Sequence, residues 1–211
     1  MAKIERLEDC LQEAADLVKS GEVIVIPTDT VFGLACDACN PKAVAKIYSL
    51  KRRPPSKSLQ AIFPSASSLA AFGLSLPAPL GFLAEKFLPG GLCPIALAKP
   101  ECPLATVREE GGVKSQAVRV PALPALLSLA SLAGPLAASS ANISSFPTAG
   151  SAGEAASLFG GEVPLCTYSD LPMGGEASTV VRAEAGAPFG IEILREGAVT
   201  VQDLYRALQL G

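Results

Sequence analysis

The chain has 211 residues, of which 49% are hydrophobic and 18% charged; none is histidine, and the formal net charge is −3. This composition excludes wholesale disorder. The lack of histidine excludes Ser-His-Asp and Cys-His catalysis and any His-ligated metal. The length favours one domain over residues 1–211 that buries about 70% of its unfolded surface.

The predicted elements alternate between helices and strands. Apolar residues at helical spacing predict a helix over Glu5–Lys19 that Gly21 ends, and Glu22–Pro27 predicts a buried strand. Asn40 before Pro41 predicts the cap of a helix that extends to Leu50. Further helices are predicted from Pro64, over Pro79–Leu88, Ala125–Ala133 and Ser151–Phe159, and after Thr200, which caps the last helix with Asp203. Further strands are predicted over Leu59–Phe63, Ile95–Ala98, Gln116–Val120, Leu136–Ser139, Val163–Thr167, Thr179–Arg182 and Ile191–Leu194. The alternation predicts an α/β fold, and the closely spaced last strands predict an antiparallel part of the sheet.

Targeting signals and membrane spans are not expected. The charged N-terminus lacks the apolar run of a signal peptide, and six scattered cysteines indicate reduced thiols and a cytoplasmic protein, with residence in an organelle left open. The uncharged stretches Ser58–Ala84 and Val120–Gly153 are interrupted by prolines, which favours buried helix–loop–strand units over membrane spans.

Positive charge is concentrated in one segment. No acidic residue occurs between Ala38 and Ala84, and this stretch carries +6, so the remaining residues carry −9. The six cations are Lys42, Lys46, Lys51, Arg52, Arg53 and Lys57. Such a concentration predicts an anion site, although a solvated basic helix end explains it equally well.

Four short polar motifs lie at ends of predicted elements. They are Pro27–Leu34 (PTDTVFGL), Lys51–Lys57 (KRRPPSK), Ser139–Asn142 (SSAN) and Ser178–Val181 (STVV). Polar residues at the carboxyl ends of strands are typical of ligand sites in α/β proteins, and Lys/Arg groups suit phosphate or carboxylate. Each motif alone is also explained as an ordinary polar turn.

The sequence Cys36-Asp37-Ala38-Cys39 has the spacing of a metal or redox motif. A structural zinc site needs four ligands, and the chain offers neither a second such pair nor a histidine. A redox motif usually opens a helix, whereas this one precedes a helix cap. We therefore expect no protein-held metal and no redox role.

The order of the motifs is more specific than any one of them. PTDTVFGL from residue 27, KRRP from 51, PGGL from 89, VRVP from 118, SSANIS from 139, STVV from 178 and LREG from 194 resemble the YrdC-like family of threonylcarbamoyl-adenylate synthases, in its short single-domain form. The resemblance implies a twisted, open, mixed parallel/antiparallel sheet with flanking helices around a concave basic cavity.

The resemblance also implies an activity. It implies condensation of L-threonine, bicarbonate or CO₂ and ATP, with magnesium on the ATP, to threonylcarbamoyl-AMP and pyrophosphate. A downstream tRNA threonylcarbamoyl-transferase complex would then modify an adenosine of tRNA. The family's catalytic tetrad falls on Lys51, Arg53, Ser140 and Asn142. The threonine and carbamate positions fall on Thr28, Thr30, Phe32 and Arg119, and the ATP phosphate positions on Lys57, Ser178, Thr179 and Arg195.

The chain departs from the family pattern at several positions. Phe32 stands for Tyr, Arg52 for Gly, Ser58 for Pro, Cys93 for Thr and Ser145 for Gly. Arg52 would either crowd the entrance or strengthen anion binding, and Cys93 would change one ligand contact.

Two alternative functions stay open from the sequence. A double-stranded RNA-binding module would use the basic segment and would show steep salt dependence, although three Tyr and no Trp offer few stacking platforms. A carbamoyl-transfer domain, as in hydrogenase maturation, would normally accompany acylphosphatase and zinc-finger modules.

Overall fold

The computed structural model describes residues 2–210, and every strand in that range belongs to one twelve-stranded sheet. In chain order the strands are β1 (Lys3–Arg6), β2 (Ile24–Ile26), β3 (Gly33–Asp37), β4 (Gln60–Ile62), β5 (Leu74–Ser75), β6 (Leu92–Ala98), β7 (Arg108–Glu110), β8 (Val113–Arg119), β9 (Leu136–Ser140), β10 (Leu165–Tyr168), β11 (Thr179–Ala183) and β12 (Ile191–Arg195). The α-helices are α1 (Leu11–Lys19), α2 (Pro41–Leu50), α3 (Leu80–Phe87), α4 (Pro124–Ala133), α5 (Ala152–Phe159) and α6 (Val201–Leu210). Short 3₁₀ helices cover Leu7–Asp9, Ala66–Phe72, Gly160–Glu162 and Pro188–Gly190.

The sheet mixes parallel and antiparallel pairs. Ten strands lie in the order β1-β10-β2-β3-β9-β4-β8-β6-β11-β12, with β5 beside β6 and β7 beside β8. The pairs β1/β10, β10/β2, β4/β8 and β6/β11 are parallel. The other pairs are antiparallel, including β11/β12 near the C-terminus. The predicted mixed sheet is therefore confirmed.

Helices cover both faces of the sheet, and the strand sequences show why. In the run before the first polar motif, Val23 and Val25 pack with α2 and α5 on one face, whereas Ile24 and Ile26 pack with α1 and α4 on the other. Successive strand residues point to opposite faces, so a continuous apolar run is what a strand buried on both sides requires. No helix among residues 2–210 has both the length and the apolar character needed to cross a bilayer.

Most predicted elements are confirmed with ends that differ by at most three residues, and the differences have tertiary causes. The predicted helix Glu5–Lys19 is wrong at its start, because Lys3–Arg6 form an edge strand paired with β10. The helix predicted from Pro64 is a 3₁₀ helix over Ala66–Phe72. Strand β3 was not predicted; it forms because β2 and β9 pair with it on both sides.

Candidate active site

A cavity of about 480 Å³ contains most of the predicted site residues. Eight of the twelve line it: Thr28, Thr30, Phe32, Arg53, Lys57, Ser140, Ser178 and Arg195. Three of these are cations, and the lining described by the structure includes no carboxylate. A volume of this size lies in the range of about 300–1,000 Å³ that small-molecule sites occupy. The basic segment of the sequence therefore contributes to a cavity wall.

The turn between β2 and β3 forms one side of the cavity. The Thr28 hydroxyl oxygen accepts hydrogen bonds from the amides of Thr30 and Val31, each at 3.0 Å, and donates to the Val31 carbonyl at 2.7 Å. These bonds close the turn in the way that Thr side chains commonly do. The Thr30 hydroxyl lies 2.9 Å from that of Thr28, and both face the cavity as a pair of polar groups.

The C-terminus of α2 explains the spacing of Lys51 and Arg53. The Arg53 amide donates to the Tyr48 carbonyl at 2.9 Å and the Arg52 amide to the Ser49 carbonyl at 3.0 Å. This pair of bonds is a Schellman motif, whose residue after the helix cap adopts a left-handed conformation. Arg52 occupies that position with φ of +47°. The motif reverses the chain, so that Lys51 enters the core while Arg53 reaches the cavity.

The Lys51 side chain is almost completely buried, with 1% of its surface exposed. Its ammonium group donates to the carbonyl of Ser140, to the carbonyl of Asn142 at 2.8 Å and to the Asn142 Oδ1 at 2.7 Å. The Ser140 hydroxyl donates to the same Oδ1 at 2.6 Å. Three of the four tetrad residues thus form one network, which fixes the strand end that carries Ser140 into the cavity.

Two factors lower the pKa of Lys51 from 10.5 to about 7. Burial disfavours the charged form, and the nearby Arg53 guanidinium adds like-charge repulsion. The carbonyl acceptors act in the opposite direction, because they stabilise an ammonium group. A negatively charged ligand in the cavity would favour the charged form further.

Arg53 and Lys57 share a wall of the cavity with Arg195. Burial lowers the pKa of Arg53, the Tyr48 hydroxyl opposes this shift, and the charges of Arg195 and Arg108 lower the pKa further. Within the described residues, no ion pair joins the three wall cations to a carboxylate. Positive groups held together without a counter-charge are stabilised by a bound anion.

Arg119 forms a buried ion pair behind the turn. Its Nη2 lies 2.7 Å from Asp29 Oδ1, and its side chain is 2% exposed. The amide of Gly174 donates to the Asp29 carbonyl at 2.9 Å, so this turn is also held from the segment before β11. In this structure Arg119 supports the turn that carries Thr28 and Thr30 and does not line the cavity.

The STVV and LREG motifs meet in the wall that also holds Arg53 and Lys57. The Arg195 guanidinium donates to the Ser178 carbonyl at 2.6 and 3.0 Å and lies 3.2 Å from its hydroxyl. Thr179 is fully buried, and its hydroxyl accepts from the amides of Gly197 and Val199 at 2.9 and 3.1 Å. Ser178 and Arg195 therefore face the cavity, whereas Thr179 fastens the chain that follows β12.

Four of the predicted site residues lie outside the cavity lining: Lys51, Arg119, Asn142 and Thr179. Lys51, Arg119 and Asn142 act on cavity residues or on the turn through hydrogen bonds. Thr179 differs most from its prediction, because the backbone of the next segment occupies its hydroxyl and no phosphate contact is offered by this geometry.

Several lining or supporting groups were not among the predicted site residues. Thr148 lines the cavity and gave no distinct signal, whereas Asp29, the carboxylate of the PTDT motif, supports the turn through its ion pair with Arg119. Arg108 contacts the Lys57 carbonyl from a distant hairpin. Cys93, noted only as a departure, lines the cavity, and burial raises the pKa of its thiol to about 11. It is thus a neutral thiol near pH 7 and not a thiolate nucleophile.

The cysteines and carboxylates are the side chains that could take part in metal or redox chemistry. All six cysteines are free, and burial raises the pKa of Cys36 and Cys39. Within residues 2–210, no group of three or more Cys, Asp or Glu side chains has the arrangement to hold a metal ion. Asp29, the carboxylate nearest the Thr pair in sequence, is already paired with Arg119.

Comparisons with known proteins agree with this geometry. The model of the Sua5/YciO/YrdC family, described as telomere recombination, matches residues 16–197. The chain is 31% identical over 206 residues to the threonylcarbamoyl-AMP synthase of Pyrococcus abyssi and 32% identical over 195 residues to that of Bacillus subtilis. The two matches cover 97% and 92% of this chain, but only 59% and 55% of the relatives. The chain therefore spans little more than half the length of these curated relatives.

A solved structure shows the same fold. The crystal structure of P. abyssi Sua5 complexed with L-threonine superposes with a TM-score of 0.86 at 29% sequence identity. The match covers 98% of this chain and 61% of that one. The open mixed sheet with flanking helices that the order of the motifs implied is thus confirmed.

Proposed function

Because the chain belongs to the Sua5/YciO/YrdC family, we propose that it is a threonylcarbamoyl-AMP synthase, an enzyme of the nucleotidyltransferase class. Its substrates would be L-threonine, bicarbonate or CO₂ and ATP, and its products threonylcarbamoyl-AMP and pyrophosphate. One observation carries the proposal: a cavity whose wall holds three cations without carboxylate partners also contains a pair of threonine hydroxyls. A site of this composition suits a triphosphate beside a small amino acid.

The two walls suggest how the substrates divide the cavity. Arg53, Lys57 and Arg195, with the Ser178 hydroxyl, offer the charge and donors that phosphate oxygens require. The hydroxyls of Thr28 and Thr30 suit the polar groups of threonine and of its carbamate. A relative was solved with L-threonine, which supports an amino acid at this site.

The chemistry proceeds in two steps. The threonine amine attacks the carbon of CO₂ or bicarbonate and becomes a carbamate, with loss of a proton or of water. A carbamate oxygen then attacks the α-phosphorus of ATP, the bond to the β-phosphate oxygen breaks, and pyrophosphate leaves. No covalent bond to the enzyme is needed, which agrees with a chain that has no histidine.

The residues of the chain contribute mainly position and charge. Negative charge accumulates on the phosphate oxygens during transfer, and fixed cations stabilise it. Lys51 holds the strand end that presents Ser140, and Arg53 lines the cavity, where it would face the reacting groups. Magnesium would enter with the triphosphate and neutralise part of its charge; phosphate oxygens and water, and not a cluster of protein carboxylates, would hold it.

The product would be consumed by a tRNA threonylcarbamoyl-transferase complex, since a mixed anhydride with AMP is an activated acyl donor. The six free thiols support the proposal that the chain works in a reducing compartment such as the cytoplasm.

Substitution of Arg53 tests this proposal. Arg53→Ala should reduce threonine-dependent pyrophosphate release about a hundredfold to a thousandfold, because loss of a charged contact to the transition state costs roughly 2.7–4 kcal/mol. Arg206→Ala, which removes an exposed arginine of α6, is the matched control. Release by Arg53→Ala within about threefold of the wild type would contradict the assignment, because threefold is under 1 kcal/mol.

A further inference from the structure

The basic loop between α2 and β4, residues 54–58, has few backbone hydrogen bonds of its own. Pro54 and Pro55 have no amide hydrogen to donate, and the Lys57 amide donates to the Pro54 carbonyl at 3.0 Å. The loop nevertheless carries Lys57 into the cavity wall. Its position must therefore depend on side chains that donate to its carbonyl groups.

Three side chains converge on one of these carbonyls. The Lys57 carbonyl accepts from the Tyr48 hydroxyl at 3.0 Å, from Arg108 Nη2 at 3.2 Å and from Arg53 Nε at 3.3 Å. Arg53 Nη2 also donates to the Ser58 carbonyl at 2.7 Å. The guanidinium that faces the cavity is therefore itself one of the groups that hold the loop.

Arg108 contacts the loop from a part of the chain that is distant in sequence. It is the first residue of β7, which pairs with β8, so its backbone belongs to the sheet. Its Nη2 also donates to the Pro55 carbonyl and lies 2.8 Å from the Tyr48 hydroxyl. Arg108 does not line the cavity. Its contacts are with the loop and with Tyr48, and they are made by a charged donor, which gives strong hydrogen bonds.

We propose that Arg108 is a positioning residue that fixes the basic loop, so that Arg53 and Lys57 are held ready for the triphosphate. The inference rests on the proposed function and adds a residue to it. With Arg108 present, the guanidinium of Arg53 shares the task of holding the loop. Without it, the loop would keep only Tyr48 and Arg53 as donors, and Lys57 would lose its fixed place in the wall. Loss of Arg108 should therefore weaken binding of the triphosphate by Arg53 and Lys57 and leave binding of threonine near Thr28 and Thr30 unchanged.

Kinetics of Arg108→Ala test the positioning role. The KM for ATP should rise about tenfold, with the KM for threonine and kcat within about threefold of the wild type, because ordering the released loop would consume part of the free energy of ATP binding. Arg108→Lys, which keeps a charged donor, should recover part of this loss. Arg206→Ala serves as the charge-matched control on α6.

A double-mutant cycle tests whether Tyr48 and Arg108 act on the same loop. Tyr48→Phe should raise the KM for ATP as well, and the double variant should lose less than the product of the two single effects, because both side chains share one carbonyl. Fully multiplicative effects would mean that the two side chains act separately, which would overturn the proposed mechanism.

Hydrogen exchange and anion binding decide the inference even if the proposed function fails. The Lys57 amide should exchange about tenfold faster in Arg108→Ala than in Arg206→Ala, and the affinity for inorganic triphosphate should fall about tenfold. A wild type that makes no threonylcarbamoyl-AMP would refute the proposed function alone. Unchanged exchange at Lys57, or faster exchange with unchanged triphosphate affinity, would overturn the role of Arg108.

Discussion

Replacement of Arg52 by glycine should stabilise the protein without loss of a contact. Arg52 lies between two tetrad residues with φ of +47°, a conformation that costs a residue with a Cβ about 1–2 kcal/mol. Glycine loses about 0.5–1 kcal/mol more backbone entropy on folding than alanine does. The net gain is then about 0.5–1 kcal/mol. The Arg52 side chain is exposed and makes no hydrogen bond or ion pair within residues 2–210.

Urea unfolding and thermal melting measure this gain, which corresponds to about 1–4 °C in Tm for a chain of this length. Arg52→Ala separates conformation from charge, because it removes the same positive charge from the basic segment but keeps a Cβ. Arg206→Gly, in the exposed face of α6, should instead lose about 1 kcal/mol. If Arg52→Gly is no more stable than Arg52→Ala, the left-handed helix end does not carry the energy assigned to it.

Three further measurements test other parts of the account. The stability of the wild type relative to Lys51→Met should rise between pH 7 and 10, by up to about 1.4 kcal/mol per pH unit. Burial lowers the pKa of Lys51 to about 7 in the folded state, so the unfolded chain binds more protons than the folded one in this range. A stability difference that does not change with pH would contradict this. Gly197→Ala should destabilise the fold by about 3 kcal/mol, because its Cβ would overlap the Ala177 carbonyl, whereas Gly161→Ala, with open space around it, should change stability little; equal melting temperatures would refute the contact. Iodoacetamide at pH 7.5 should label Cys93 more slowly than the partly exposed Cys102, because Cys93 is 1% exposed and burial raises the pKa of its thiol to about 11. Peptide mass spectrometry measures the two labelling rates, and the reverse order would contradict the burial of Cys93.

Local chemistry made several features predictable from the sequence. The Asn40 side chain caps α2 by accepting from the amides of Lys42 and Ala43, and the Thr200 hydroxyl accepts from the Asp203 amide at the start of α6. Both signals depend only on residues within one helical turn. Arg52 and Ser145, which stand where the family has glycine, both adopt positive φ values, of 47° and 72°. At these two positions the glycine of the family pattern therefore indicates a left-handed backbone.

The rest depended on contacts between distant segments. Strand β1 forms because Lys3–Arg6 meet β10, more than 160 residues away in the sequence, and no local pattern encodes that meeting. Lys51 and Arg119 were predicted as site residues, but their burial could not be, because their partners Asn142 and Asp29 lie 91 and 90 residues away in the sequence. Arg108 gave no signal because its acceptors are backbone carbonyls.

Product analysis with isotope-labelled bicarbonate tests the proposed synthase activity. The protein is incubated with MgATP, L-threonine and ¹³C-bicarbonate, and the nucleotides are separated and identified by mass spectrometry. The expected product is threonylcarbamoyl-AMP that carries one ¹³C atom, with one pyrophosphate per product and little product from Arg53→Ala. ATP cleavage that does not depend on threonine, or a threonine adduct without the labelled carbon, would contradict this activity.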